Sequence, residues 1–250
     1  MDRDVPSILV AMPSPTRIVG KLRRALLVVG IVVLVVPFAL TATFLVRRGP
    51  ELWFLHRWRS ATPPTGTLSS SPAVPLAQLA TAAEREAAKP LRYDPAYVVL
   101  TYPGGDVPPD TGVCTDLVIR SYRSLGWDLQ KAVHEDMVAA FDAYPRIWGL
   151  SAPDASIDHR RVPNLMVFFR RLGADLPLSS SADDYQTGDL VAWDLGRGST
   201  HIGIVSTRRG PSGRRLIAHH VGGRPSVDDA LLRWPILAHF RYAAPTAAAP

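Results

Sequence analysis

The 250 residues of the chain are 47% hydrophobic and 20% charged, which excludes a disordered protein, and the single cysteine excludes a disulfide framework and a CxxC metal site. The net charge is +6, but residues 1–60 hold nine Lys or Arg against three Asp or Glu, whereas residues 61–250 hold nineteen of each. Because the basic excess is confined to the N-terminal part, the sequence favours no nucleic-acid partner for the rest of the chain.

The N-terminal part contains an uncharged stretch of 22 residues from Ala25 to Val46, with basic residues on both sides. At about 1.5 Å per residue, a helix of this length spans a hydrocarbon core of about 30 Å. We therefore predict a short cytoplasmic segment at 1–24 and a transmembrane anchor at 25–46. The expected localisation is the inner or cytoplasmic membrane, single-pass, with the domain extracytoplasmic. A cleaved signal peptide and a buried core helix are the alternatives.

Residues 47–90 are expected to form a linker, because Pro63, Pro64 and the Ser69–Ser71 run do not pack a core. Within the linker, Leu76–Lys89 predicts one short Ala-rich helix. The final residues, 244–250, are an Ala/Pro tail. The working domain is therefore predicted at 91–243, which is long enough for a single core.

The domain begins with helical patterns and ends with strand patterns. The helices are predicted at Val113–Leu125, Leu129–Phe141 and Pro163–Leu172, and the strands at Tyr97–Tyr102, Leu190–Leu195, His201–Thr207 and Leu216–Val221. Asp189 and Asp194 are expected at a turn and an edge. This order predicts an α+β domain in which N-terminal helices pack on an antiparallel sheet.

Cys114 lies in the first turn of its predicted helix, where unpaired N–H groups and the helix dipole favour a thiolate. A helix start contributes only about 0.3–1 kcal/mol, so a thiolate at neutral pH also needs a nearby imidazolium. His201 and one of His219 or His220 are the candidates, since adjacent antiparallel strands bring such residues side by side. Gly203 allows another segment to approach closely.

A combination of motifs in this domain matches known families. The motifs are TYPGGDVPPDTGVCTDLVIRSYR, DLQKAVHEDM, IDHRRVPNL, GDLVAW, HIGIVS and HHVGGRPS. In their order they resemble the papain-like cell-wall cysteine peptidases of the NlpC type. More closely, they resemble a bacterial family known as domain of unknown function 1287, which has been grouped with that superfamily. The resemblance covers about Tyr97–Tyr242.

The resemblance implies a papain-like (NlpC-type) fold and a Cys–His–polar triad. Cys114 would be the nucleophile, His201 the base and His219 the residue that orients the base. Tyr102, about a dozen residues before the cysteine, would help to form the oxyanion hole.

The sequence departs from the NlpC-type pattern in two places. Val113-Cys114-Thr115 stands where Asp-Cys-Ser is usual, and the helical insert from Trp127 to Tyr185 is larger than in simple NlpC-type domains. Both departures bear on the substrate more than on the mechanism.

A second group of chemistry-bearing residues comprises His134-Glu135-Asp136 and Asp158-His159-Arg160-Arg161. Neighbours in a helix point in different directions, so one metal ion cannot bind the first three residues, and we predict no metal ligand. Ion-paired scaffolding is one interpretation of the group. In the other, His134, Arg160 and Arg161 bind substrate, with an arginine holding a carboxylate through two hydrogen bonds.

The sequence thus predicts a membrane-anchored, extracytoplasmic thiol hydrolase that needs no cofactor. Its expected substrate is an amide bond in the stem peptides of peptidoglycan, and its expected thiol has a low pKa. The alternatives are a catalytically silent cell-envelope binding module, a lipid acyltransferase with the same triad, and a zinc enzyme that uses His134, His159 and His201.

Overall fold

Four α-helices lie within residues 73–245, the part of the chain that this computed structural model describes. They are α1 (Leu76–Ala87), α2 (Cys114–Arg123), α3 (Leu129–Ala140) and α4 (Val162–Arg171), with 3₁₀ helices at Phe141–Ala143, Asp158–Arg160 and Ala182–Asp184. Each of the described helices is too short or too polar to cross a bilayer. The predicted N-terminal segment and anchor, and most of the linker and the tail, lie outside the described residues.

The main sheet has six antiparallel strands in the order β3-β8-β4-β5-β6-β7. These strands are β3 (Asp175–Leu176), β4 (Leu190–Gly196), β5 (Ser199–Arg209), β6 (Arg215–His219), β7 (Ser226–Asp228) and β8 (Ile236–Phe240). A separate parallel pair joins β1 (Arg92–Tyr93) to β2 (Thr111–Gly112). The prediction of an α+β domain with an antiparallel sheet is confirmed.

Side chains alternate between the two faces of the main sheet, and different residues cover each face. Ile202, Ile204 and Ala218 pack in the larger core cluster together with residues of the four helices. The second cluster comprises Tyr185, Val191, Trp193, Val205, Ile217, Ala230 and Leu231, which are residues of alternate strand positions and of two loops. We refer to the two sides as the helix face and the loop face.

The helix α1 belongs to the core and is not part of a linker. Leu79 and Ala83, four residues apart and therefore on one side of the helix, are fully buried. Burying a leucine side chain contributes about 2 kcal/mol to folding, so the pair holds α1 on the domain. The folded part therefore begins before residue 91, inside the stretch expected to be a linker.

The strand prediction for Tyr97–Tyr102 is wrong, since this segment has no regular secondary structure. Its backbone bonds to side chains of other segments. The Leu100 N–H donates to Ser156 Oγ at 3.0 Å, and the Thr101 carbonyl accepts a hydrogen bond from Gln130 Nε2 at 2.9 Å. Because side chains satisfy these groups, no neighbouring strand is needed to pair them.

Candidate active site

Cys114 is the first residue of α2, and its side chain lies where the β5–β6 ladder ends. The residue is only 5% exposed, and its Sγ accepts a hydrogen bond from the Ile202 N–H. The alternation of backbone groups along β5 explains this contact. The Val205 N–H donates to the Asp189 carbonyl, and the Val205 carbonyl accepts from the Gly188 N–H, both on the β4 side. Because these groups alternate along a strand, the N–H groups of Ile202 and Ile204 point to the other side, towards β6.

The strand β6 ends at His219, which is paired with Gly203, so it offers no ladder partner to the Ile202 N–H. The Cys114 sulfur accepts the hydrogen bond from this N–H instead. A strand N–H points within the plane of its sheet and not out of either face. Cys114 therefore reaches from the helix face into the plane of the sheet, beside the peptide bond that joins His201 to Ile202.

The side chain of His201 lies on the loop face of β5, on the same side as Trp193. Its Nε2 lies 2.8 Å from Nδ1 of His219, and Nε2 of His219 lies 3.0 Å from Oδ1 of Asp228. Its ring stacks on Trp193 with the centroids 5.6 Å apart, and Trp234 contacts the ring edge-on at 5.8 Å. His201 is 1% exposed, so the two indoles shield its bond to His219 from water.

Gly203 is required for this pairing. A Cβ at this position would lie 2.7 Å from Cγ2 of Ile217, which is closer than real Cβ atoms approach, and 3.0 Å from Cβ of His219, which is a tight contact. The expectation that Gly203 permits a close approach is confirmed, and the neighbouring segment is β6.

His220 points to the helix face and contacts a residue that sequence reasoning missed. Its ring meets that of Tyr93 edge-on with the centroids 5.0 Å apart. Burial, with smaller contributions from the charges of Cys114 and Asp116, raises the pKa of Tyr93 to about 12. Tyr93 is thus the tyrosine whose hydroxyl is electrostatically coupled to the thiol, and β1 has only two residues from which a pattern could have predicted it.

The expected low pKa of the thiol is not supported by the structure. Burial raises the pKa of Cys114 to about 11, because the thiolate would lose its hydration, and the Asp116 carboxylate adds to this shift. Burial also lowers the pKa of His201 to about 3. At neutral pH the closed site therefore holds a neutral thiol and a neutral imidazole.

The start of α2 is fixed by a buried ion pair. Asp116 accepts a hydrogen bond from the Val113 N–H at 2.7 Å, and Arg160 binds both oxygens of Asp116 through Nε and Nη2 at 2.9 and 3.0 Å. The remaining Nη1 of Arg160 donates to the Ala96 carbonyl at 3.0 Å. Arg160 thus holds the start of α2 in place, and its guanidinium is bonded to groups of the protein itself.

The other predicted site residues lie elsewhere. Tyr102 packs on the ring of His134, with the centroids 4.9 Å apart, and interacts with Glu135. His134 lies 3.0 Å from the Asp158 carboxylate through Nδ1. The guanidinium of Arg161 stacks 4.1 Å above the ring of Trp148. These contacts bring Tyr102 to α3 and not to Cys114.

The zinc alternative needs His134, His159 and His201 in one cluster. Among residues 73–245, no group of three or more His, Cys, Asp or Glu side chains is arranged to hold a metal ion. His159 is buried and its pKa is lowered to about 3, chiefly by burial and secondarily by Arg160. The geometry of these residues does not fit a zinc site.

The raised pKa of Cys114 predicts slow alkylation of the folded protein. A thiol of pKa about 11 forms about 10²-fold less thiolate at pH 7.5 than the unfolded chain, whose thiol has a pKa of about 8.5. Iodoacetamide should therefore react at least about 10²-fold more slowly with the native protein than with the protein in denaturant. The reaction is followed by mass spectrometry, and every added group reports on Cys114, the only cysteine of the chain. Faster reaction of the native protein at pH 6 would instead show a thiolate–imidazolium pair.

Comparisons with known proteins place this site inside a recognised domain. The family model described as a domain of unknown function (DUF1287) matches residues 80–242. A protein of Escherichia coli (strain K12) named "Uncharacterized protein YijF" is 49% identical over 164 residues, which are 66% of this chain and 80% of that protein. No solved structure matches the chain significantly. The matched range includes Cys114 and the hydrogen-bonded residues His201, His219 and Asp228.

Proposed function

The chain belongs to the family described as domain of unknown function (DUF1287), and we propose that it is a thiol hydrolase in which Cys114, His201 and His219 form the catalytic triad. The observation that carries the proposal is that the thiol lies against the backbone of Ile202, the residue that follows His201 on β5. Cys114 Sγ accepts the Ile202 N–H, and the preceding residue, His201, is bonded to His219 at 2.8 Å. A nucleophile, a base and a residue that orients the base are thus supplied by three different elements.

The neutral state of both groups defines the first step. As Sγ attacks the carbonyl carbon of an amide, His201 accepts the thiol proton, so charge separates only in the transition state. The C–N bond then breaks, the amine leaves with the proton from His201, and a thioester remains on Cys114. Water, deprotonated by His201, hydrolyses the thioester and releases the carboxylic acid.

The tetrahedral intermediate carries an oxyanion that needs hydrogen-bond donors. The first N–H groups of a helix have no partner within the helix, and those of Cys114 and Thr115 point to the thiol. These donors are fixed by the backbone before the substrate arrives, so they stabilise the oxyanion without reorganisation. Tyr93 is a further candidate donor because its hydroxyl is coupled to Cys114.

Substrate must open the site before this chemistry, since Cys114 is buried. Tyr93 is half-buried, its hydroxyl is coupled to the thiol and its ring contacts His220 rather than the core clusters. A shift of the Tyr93 ring that keeps its hydroxyl near the thiol is therefore our proposed route of entry for the substrate.

The substrate class follows from the resemblance and from the sequence. A papain-like domain on the outer side of an anchor at 25–46 faces the cell wall, and the peptides of peptidoglycan carry amide bonds with free carboxylates nearby. Tyr102 is exposed and His134 and Arg161 are half-buried, so these three are our proposed contacts with such a peptide, whereas Arg160 supports α2.

The proposal is tested with the full-length protein in detergent, incubated with purified peptidoglycan and with synthetic stem peptides. Mass spectrometry should detect new amine and carboxylate termini in equal amounts, as amide hydrolysis requires. A variant with Cys114→Ala should produce none. Transfer of an acyl group to a lipid, without release of the free acid, would replace the hydrolase by an acyltransferase.

The burial of Cys114 favours one further candidate, a binding module that keeps the cleft without catalysis. It predicts that stem peptides bind the wild type and Cys114→Ala equally and that neither protein cleaves them. Isothermal titration calorimetry with the same peptides separates the two functions.

A further inference from the structure

Asp228 stands at the end of a hydrogen-bonded line that begins at the proposed base. The line runs from Nε2 of His201 to Nδ1 of His219, and from Nε2 of His219 to Oδ1 of Asp228. We propose that Asp228 is a positioning residue that sets the tautomers of both histidines, so that Nδ1 of His201 is left unprotonated and free to accept a proton. This inference rests on the proposed function and adds a fourth residue to its triad.

The proton positions follow from the donor and acceptor rules of imidazole. A carboxylate only accepts hydrogen bonds, so Nε2 of His219 must carry the proton that it shares with Asp228. Burial lowers the pKa of His219, which keeps the ring neutral, and a neutral ring with a protonated Nε2 has a bare Nδ1. That bare Nδ1 accepts the hydrogen bond from His201, so His201 is protonated at Nε2.

His201 is neutral as well, so protonation at Nε2 leaves its Nδ1 with a free electron pair. Only this tautomer accepts the proton of Cys114. With the opposite tautomer, Nδ1 would carry a hydrogen and the base would be blocked, although every side chain kept its place. The carboxylate therefore acts through two rings without touching the substrate.

Neighbouring polar side chains hold the Asp228 carboxylate in position. Its Oδ1 lies 3.4 Å from the guanidinium of Arg233, and its Oδ2 accepts a hydrogen bond from Ser226 at 3.2 Å. Its side chain is 38% exposed, whereas that of His219 is fully buried. The hydrogen-bonded line thus ends at a carboxylate that solvent reaches, whereas the two imidazole rings are buried.

The test uses nitrogen-15 NMR of histidine-labelled full-length protein in detergent, because the shifts of ring nitrogens distinguish protonated from bare atoms. In the wild type at pH 7, Nδ1 of His201 and Nδ1 of His219 should both appear as bare nitrogens. In Asp228→Ala the acceptor is lost, so both tautomers become populated and the two resonances should shift towards averaged values. Asp228→Glu should restore the wild-type pattern.

The same variants are compared by rate on the synthetic stem peptide. Asp228→Ala should lower kcat about tenfold or more with little change in KM, and Asp228→Glu should recover most of the loss. Asp229→Ala is the matched control, because the neighbouring carboxylate binds Arg214 and Ser212 on the surface instead of His219. It should change neither the spectrum nor kcat.

A protonated Nδ1 on His201 in the wild type would overturn the inference, and so would an unchanged tautomer in Asp228→Ala. If Asp228→Ala does not fold, the spectra of the wild type and of Asp228→Glu still test which nitrogen of His201 is protonated. Failure of the proposed function is a separate outcome: the wild type would then cleave no peptide, whichever tautomers its histidines adopt.

Discussion

Replacement of Cys114 by serine is expected to lower the rate of stem-peptide cleavage by about 10³-fold or more. A serine hydroxyl is far less acidic than a thiol, and His201, whose pKa burial lowers to about 3, is a weak base. The hydroxyl still accepts the hydrogen bond of the Ile202 N–H, so the fold should survive. Steady-state kinetics together with thermal melting measure both effects.

The control for this substitution lies on the same helix. Ser121 is buried in α2 and its hydroxyl bonds to the Leu117 carbonyl at 2.7 Å, well inside the helix and away from its first turn. Ser121→Ala should therefore keep most of the activity while testing the sensitivity of α2 to substitution. Cleavage by Cys114→Ser within tenfold of the wild-type rate would show that another group attacks the substrate, and loss of that activity on adding a chelator would assign it to a metal.

The sequence predicted the pairing of two strand histidines because β5 and β6 form one hairpin, whose geometry is local. It left His219 and His220 as alternatives because the choice depends on register. The pairing shifts between Val205 and Arg209, and such an irregularity has no signature in the composition of these strands. The structure pairs His219 with His201 and turns His220 towards Tyr93.

The expected thiolate is the clearest difference between sequence and structure. A helix start and a downstream histidine both favour a charged sulfur, and both are visible in the sequence. Desolvation is not visible there, because it depends on how completely other elements cover Cys114. The structure makes burial the largest effect on the pKa of this thiol. The next is the hydrogen bond from the Ile202 N–H, which lowers the pKa, and it is followed by the Asp116 carboxylate, which raises it.

Short elements account for the residues that sequence reasoning missed. Asp228 lies on a strand of three residues and Tyr93 on a strand of two, and neither is long enough to show a period. β8 was also not predicted, although it lies between β3 and β4 in the sheet. The long amphipathic helices and the two central strands, in contrast, have clear hydrophobic periodicities, and their observed secondary structure agrees with those periodicities.

Acid is expected to unfold the domain before the pH reaches about 3. The pKa values of His201 and His159 are each lowered to about 3 by burial, whereas both histidines titrate near 6.5 in an unfolded chain. Between these values the unfolded state binds more protons, so the free energy of unfolding falls as the pH falls. At about 1.4 kcal/mol per pH unit, each histidine removes roughly 4–5 kcal/mol across this window, and a domain has only about 5–15 kcal/mol in total. Urea unfolding at a series of pH values measures the slope.

Two variants identify the source of this slope. His159→Leu removes a buried titratable ring whose Nδ1 has no hydrogen-bond partner among the described residues, so it should flatten the slope by about one proton between pH 6.5 and 3. Asp183→Asn, at a side chain that is 86% exposed, should leave the slope as it is, since a surface ion pair contributes little. Above about pH 7.5 both histidines are largely neutral in the folded and the unfolded state, so stability should there be nearly insensitive to them. A His159→Leu protein that loses stability with acid as steeply as the wild type would mean that His159 is already protonated in the folded domain.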